Sequence, residues 1–180
     1  MIRIIDIILS ILGLFLSLPI FFLAFLTKSF SSNSPFFYQF RVGRNQKKFL
    51  LYKFRTMKLK TRSVATHLVE KKAITTFGSF LRYLKIDELP QLWNVLRGDM
   101  SLVGPRPSLL NQKILILERK KRKVFSVRPG LTGLSQIKGI NMSQPILLAK
   151  TDYKMIKKMN IVYYFYYLLM TLLFIFKKRK

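Results

Sequence analysis

Thr76–Pro107 reads TFGSFLRYLKIDELPQLWNVLRGDMSLVGPRP. The chain of 180 residues has 7 Asp plus Glu against 33 Lys plus Arg. Three of the seven acids, Asp87, Glu88 and Asp99, fall within one 13-residue window, where even scatter would put about 0.5. A chain this basic keeps its carboxylates where they are needed. Arg82, Lys85, Arg97 and Arg106 flank them and can hold an anionic substrate. Phe77, Phe80, Leu81 and Leu84 have helical spacing, which predicts a helix over Phe77–Ile86. Pro90 suits the first turn of a second helix, continued by Gln91–Leu96 and stopped by Gly98. Asp87 and Glu88 then stand at a helix N-terminus, where the dipole and free N–H groups favour anions.

The net charge of +26 implies an anionic partner: nucleic acid, an anionic membrane face or a phosphorylated substrate. With 16 Phe and 8 Tyr the chain is no disordered basic tail. The absence of Cys excludes disulfides and a thiolate zinc site. The lone His67 builds neither a His-rich metal site nor, from its basic and polar setting, a catalytic triad.

Ile7–Thr27 carries no charge and is long enough for one bilayer crossing. A signal peptide fits less well, because no small-x-small cleavage site follows. Pro19 removes a backbone donor inside this run, and Ser17 and Gly13 lie on the turn where a kink can be absorbed. On physics alone, a kinked single span and a bent helix re-entering the same leaflet both remain open. The positive-inside rule places the basic remainder in the cytoplasm in either case.

Ser29–Pro35 reads as a polar linker, and Phe36–Met57, broken at Gly43 and Asn45, as a small β-hairpin or an extended segment. Lys58–Thr76 reads as a surface loop with room for a short helix, Ser108–Val124 as a helix and Val127–Gly133 as turn chemistry. Ile161–Phe176, apolar, rich in Tyr and closed by Lys177–Lys180, reads as an interfacial helix on an anionic leaflet.

Neighbouring residues on a helix do not face each other, so Asp87 and Glu88 suit different tasks. One carboxylate can attack phosphorus. The other can hold a Mg²⁺ that also binds substrate phosphate oxygens. Arg106, fixed between Pro105 and Pro107, can clamp phosphate bidentately. The plainer reading is that Asp87 caps the helix at Pro90 and the bases form a solvated face.

DELPQLWNVLRGDMSLVGPRP (Asp87–Pro107) resembles the signature of the bacterial sugar transferases, the monotopic phosphoglycosyl transferases. The resemblance runs through Arg3–Asp6, Gln39–Gly43, Tyr52–Met57, Phe77–Arg82 and Arg128–Gly133, with Gln136, Gly139 and Asn141 following. It covers nearly the whole chain in order and suggests the minimal catalytic form. It implies that Asp87 attacks the β-phosphate of a UDP-sugar, that UMP leaves, and that undecaprenyl phosphate takes the phosphosugar from the aspartate. Glu88, beside Asp87, would hold Mg²⁺. Arg106 and Arg128 would contact phosphate, with Lys53, Arg55 and Arg82 in support, and Asp152 matches an acidic position near the site. The family's N-terminal helix re-enters the leaflet at a Pro, matched here by Pro19 next to Ser17.

The expected fold is α+β and mainly helical. Residues 1–28 form a Pro-broken re-entrant helix. Residues 29–180 form a cytosolic, membrane-associated catalytic domain with a small β element and an interfacial helix at 161–180. Both termini face the cytoplasm of a bacterial inner membrane. Expected partners are a UDP-sugar, undecaprenyl phosphate and anionic lipid, with no nucleic acid. The stretch Gly104–Gln112 resembles members using N-acetylated deoxyaminosugars such as FucNAc, QuiNAc or diacetylbacillosamine. The chain departs from the pattern at Lys85, Leu134, Ile140 and Lys154. The alternative is a membrane-tethered basic protein that binds nucleic acid or anionic lipid without chemistry. No nucleic-acid motif supports it, and the carboxylate cluster opposes it.

Overall fold

The computed structural model of the chain describes residues 1–29, 34–58 and 73–177. His67, most of the Lys58–Thr76 segment, the middle of the Ser29–Pro35 linker and the last three residues lie outside them.

Helix α1 (Ile2–Ser29) continues through Pro19 without interruption. Ser17 is buried just before it, and its Oγ donates to the Leu14 carbonyl at 2.9 Å. The apolar run Ile2–Phe25 is long and apolar enough to cross a membrane. Strands β1 (Phe36–Val42) and β2 (Lys48–Phe54) form the expected antiparallel hairpin, with Gln39 opposite Leu51 and Arg41 opposite Phe49. Alternation therefore puts Gln39, Arg41, Leu51 and Lys53 on one face.

Helix α2 (Thr76–Tyr83) begins at Thr75, whose Oγ1 accepts from Gly78 N at 2.9 Å. It ends before the expected Ile86 because Lys85 turns left-handed, at φ 61°. A short 3₁₀ turn, Ile86–Glu88, carries the two carboxylates, and α3 (Gln91–Arg97) follows Pro90 and stops at Gly98 in the left-handed region.

Two stretches differ from expectation. Ser108–Leu109 is not the start of a helix but a strand, β4, pairing with Val42 and Arg41 on the free side of β1. Pro105 and Pro107 hold the chain extended into it, and α4 (Lys113–Lys121) starts only afterwards. Gly130–Thr132, read as turn chemistry, is strand β5, parallel to β3 (Ser101–Val103). The pairing needs glycine, since a Cβ on Gly130 would lie 2.0 Å from Gly104 N. Short α5 (Leu134–Ile137), then α6 (Pro145–Lys157) and α7 (Ile161–Lys177) complete the chain.

The main core joins Leu51, Val95, Met100, Val103, Met155, Tyr164 and Tyr167, with Ile2, Ile5 and Leu9 of α1 packed on it. A second cluster, Phe54, Leu81 and Ala24, receives the far part of α1. Between these two clusters the hairpin, the 3₁₀ turn and α3 place the carboxylates. Asn94 fixes that arrangement from within α3. Its Nδ2 donates to the Leu50 carbonyl at 2.7 Å and its Oδ1 accepts from Tyr52 N at 3.1 Å, so its side chain does the work of a neighbouring strand on β2.

Candidate active site

Asp87 is 7% exposed, and Glu88 beside it makes two charged hydrogen bonds through one oxygen. Lys53 Nζ, from β2, donates to Glu88 Oε1 at 2.8 Å. Arg106 Nη2, from the loop between β3 and β4, donates to the same oxygen at 3.1 Å. Arg41, Gln91 and Pro107 line the same small pocket. Burial pushes the Asp87 carboxyl up, opposed by Lys53, Lys85 and Arg82 and reinforced by Glu88. Burial acts on Glu88 in the same direction, but Lys53, Arg106 and Lys85 outweigh it and hold Glu88 well below the usual carboxylate range. The adjacent acids are thus driven apart, which separates their chemical tasks. Glu88 is a firmly ionised anchor, and Asp87 is a desolvated carboxylate with no hydrogen bond dulling it among the described residues.

Two buried networks set the loop that carries Arg106. Arg41 Nη1 donates to the Pro107 carbonyl at 3.2 Å. Burial, with Arg106 nearby, lowers Arg41 to about 10 although Glu88 works the other way. Arg119, fully buried on α4, donates through Nη1 to the Arg106 carbonyl at 2.7 Å. Its Nε and Nη2 donate to Asp152 Oδ2 at 3.0 and 2.6 Å, and Ser135 Oγ donates to Asp152 Oδ1 at 2.6 Å.

The expected site residues therefore separate into groups. Asp87, Glu88, Lys53 and Arg106 come together, and Arg82 stands near Asp87 with its Nε on Thr56 Oγ1 at 2.8 Å. Asp152 is placed elsewhere: both its oxygens are taken by Arg119 and Ser135, so it supports Arg106 from behind. Arg55 is spent on the Ser34 and Phe36 carbonyls, both at 3.1 Å, fastening the entry to β1. Arg128 Nε holds the Gly98 carbonyl at 2.8 Å. It lines a different cavity of about 250 Å³ with Arg3, Asp6, Arg44 and Tyr164. Asp99 also leaves the cluster, pairing loosely with Arg97 at 3.6 Å. Arg41, Gln91 and Arg119 were not picked out from the sequence. The period-two alternation that aligns Arg41 with Lys53 was the available signal for the first.

No group of three or more His, Cys, Asp or Glu that could hold a metal occurs among the described residues. A Mg²⁺ does not require one, because it is commonly held by one or two carboxylates plus substrate phosphates and water. Asp87 and the second oxygen of Glu88 fit that mode.

A buried carboxylate, a second carboxylate held by two cations, and a long apolar helix packed on the same domain are the features against which the chain's relatives can be compared. The bacterial sugar transferase model matches residues 1–178, and the chain belongs to that family. It is 49% identical over 106 residues to an uncharacterised sugar transferase, EpsL, of Bacillus subtilis (strain 168), covering 59% of this chain and 52% of the relative. It is 41% identical over 108 residues to a putative undecaprenyl-phosphate N-acetylgalactosaminyl 1-phosphate transferase of the same organism, covering 58% and 60%. It is 35% identical over 159 residues to the undecaprenyl-phosphate galactose phosphotransferase of Salmonella typhimurium, covering 77% and 33%. The chain thus spans about half of the first relative's length and a third of the last.

Proposed function

We propose that the chain transfers a sugar-1-phosphate from a UDP-sugar to undecaprenyl phosphate at the membrane, through a phosphosugar bonded to Asp87. The observation that carries this reading is the opposite treatment of two adjacent acids, one desolvated and one locked between Lys53 and Arg106. Family membership and the relatives' names support the general reaction.

In the first half-reaction an Asp87 oxygen bonds to the β-phosphorus while the P–O bond to UMP breaks. The electron pair of that bond leaves on UMP, and no proton need move. In the second half, a phosphate oxygen of undecaprenyl phosphate bonds to the same phosphorus and Asp87 departs as carboxylate. Lys53 and Arg106 neutralise charge beside the reacting group, which is where most phosphoryl-transfer catalysis arises. When bound, Mg²⁺ supplies charge neutralisation to the phosphate oxygens, with Glu88 and Asp87 as its protein ligands. The deoxyaminosugar resemblance of Gly104–Gln112 makes N-acetylated aminosugars the first donors to try. A surface glycan or glycoprotein glycan is the expected destination.

A passive anion-binding surface explains the arrangement less well, since a buried and a half-buried carboxylate in its midst would repel the anion. The test is UMP release from a panel of UDP-sugars with Mg²⁺ and undecaprenyl phosphate. Asp87→Asn, nearly isosteric but a poor nucleophile, is expected to abolish release while leaving folding intact. Wild-type-like release from that variant removes Asp87 from the mechanism, and a wild type inert on every donor removes the activity.

A further inference from the structure

Gln91 stands one turn after Glu88 at the start of α3 and is 3% exposed, yet its Nε2 has no hydrogen-bond partner among the described residues. Arg41 is 9% exposed, and its Nε is likewise without a partner, although both of its terminal nitrogens are engaged. Leaving a buried donor unmade costs about 1–3 kcal/mol, so two such donors at one place call for an explanation. The two residues that carry them, Gln91 and Arg41, line the same pocket as Lys53, Glu88 and Arg106. Its volume is about 10 Å³, room for about one water-sized group. That is too small for a sugar or a base and suited to a single oxygen.

Building on the reaction proposed above, we infer that Gln91 Nε2 and Arg41 Nε together hold one non-bridging oxygen of the phosphoryl group as it passes from UMP to Asp87. Phosphoryl transfer spreads charge over the equatorial oxygens, and donors already oriented toward one of them stabilise the transition state without reorganisation. Lys53 and Arg106 already bond Glu88, so they supply charge, while the two orphan donors supply direction. Gln91 is neutral, so its contribution is one of geometry. Arg41 is pinned by the Pro107 carbonyl, and Gln91 opens α3 directly after the turn that presents Glu88.

The experiment uses the full-length chain in detergent or nanodiscs and a UDP-sugar that the wild type turns over. Gln91→Ala is expected to lower kcat for UMP release about 100-fold, with KM moving less than about threefold. Gln91→Met keeps the length and removes the donor without adding charge, so it takes the place of Gln91→Ala, with the same expected loss, if thermal unfolding shows that Gln91→Ala does not fold. Arg41→Lys keeps the charge but loses Nε together with the Nη1 bond to the Pro107 carbonyl, and it is expected to lower kcat at least as much. A role in folding alone is separated by the two diastereomers of a UDP-sugar carrying sulfur on the β-phosphorus. One diastereomer places sulfur at the held oxygen, and its penalty in the wild type is expected to shrink at least about tenfold in Gln91→Ala. The penalty on the other is expected to stay unchanged. Wild-type kcat in Gln91→Ala or Gln91→Met, or identical sulfur penalties in wild type and variant, overturns the inference and leaves a resident water as the partner of both donors. A wild type that releases no UMP from any donor overturns the inference together with the activity it rests on.

Discussion

At the scale of single residues, the site depends on which charges are shared and which are left free. Glu88 gives one oxygen to both Lys53 and Arg106, at 2.8 and 3.1 Å, and its other oxygen makes no hydrogen bond among the described residues, which suits the proposed Mg²⁺. Glu88→Gln is therefore expected to raise the Mg²⁺ concentration needed for half-maximal UMP release or to abolish activity. A chelator is expected to silence the wild type reversibly, and full activity in excess EDTA would exclude the metal role. Asp152 behaves differently. It matches an acidic position near the family's site, yet it is 0% exposed and saturated by Arg119 and Ser135. Asp152→Ala leaves Arg119 charged, buried and unpaired, and such losses cost about 3–5 kcal/mol. The expected result is a clear drop in Tm. Normal Tm with a raised KM for the donor would instead put Asp152 against substrate. The distinction shows what a sequence can carry. The clustering of Asp87 and Glu88 in an acid-poor chain was legible, because their scarcity is itself a signal. The partners of Asp152 were not, since Arg119 is 33 residues away and looks like one more member of a basic block.

At the scale of elements, α1 is tied to the catalytic domain at Asp6. Its Oδ1 accepts from Ser101 Oγ at 3.0 Å, Leu102 N at 2.9 Å and Tyr164 OH at 2.7 Å. One carboxylate oxygen thus joins α1, β3 and α7. Arg3, three residues earlier, donates to the Val95 and Leu96 carbonyls at 2.6 and 2.9 Å, closing the C-terminal end of α3 with a cation. Asp6→Ala orphans buried donors on two other elements, each costing about 1–3 kcal/mol. Faster hydrogen exchange in α7 is the expected sign, and Asp6→Asn should restore much of the protection because an acceptor remains. Unchanged exchange in Asp6→Ala would mean that apolar packing alone holds α7. Helices α1, α2, α3 and α7 and the hairpin could be read from apolar runs, periodicity and turn residues, whereas α4 starts later than its apolar pattern suggests and α5 and α6 were not read from the sequence. Strands β3, β4 and β5 could not, for each has two or three residues. Segments that short have no period to detect. They exist because prolines extend the chain and because Gly130 lets a backbone approach Gly104.

At the scale of the whole molecule, the question is how an apolar α1 and a protein of net charge +26 share one bilayer. The run Ile2–Phe25 has 24 residues, about 36 Å of helix, against a hydrocarbon core of ~30 Å. One face of it follows the domain along almost that entire length. Arg3 and Asp6 bond α3 and β3, a Cβ on Gly13 would lie 2.9 Å from Leu92 Cδ1, and Ala24 is buried with Phe54 and Leu81. The opposite face exposes Ile4, Ile8, Ile11, Phe15, Leu18, Phe22 and Phe25, and α7 exposes Val162, Phe165, Leu169, Leu172 and Leu173. A helix crossing straight through the core would have to carry Leu92, Phe54 and the charged turn between them into lipid. The cost of burying such charges in hydrocarbon disfavours that arrangement. A shallow path, entering and leaving by one leaflet, keeps every one of these contacts and leaves the apolar faces of α1 and α7 to the acyl chains. The expectation is that both ends of α1 face the cytoplasm. Because the chain has no Cys, a single Cys inserted after Met1, or placed at exposed Ser34, reports its own side. An impermeant thiol reagent should label neither in intact cells and both after permeabilisation. Labelling of the N-terminal Cys alone in intact cells would mean that α1 spans the membrane, and the contacts of Arg3 and Asp6 with α3 and β3 could not then hold in the cell. Pro19→Ala, which restores the backbone donor that a straight helix uses, should shift the population toward such labelling, and the loss of UMP release should follow the labelled fraction.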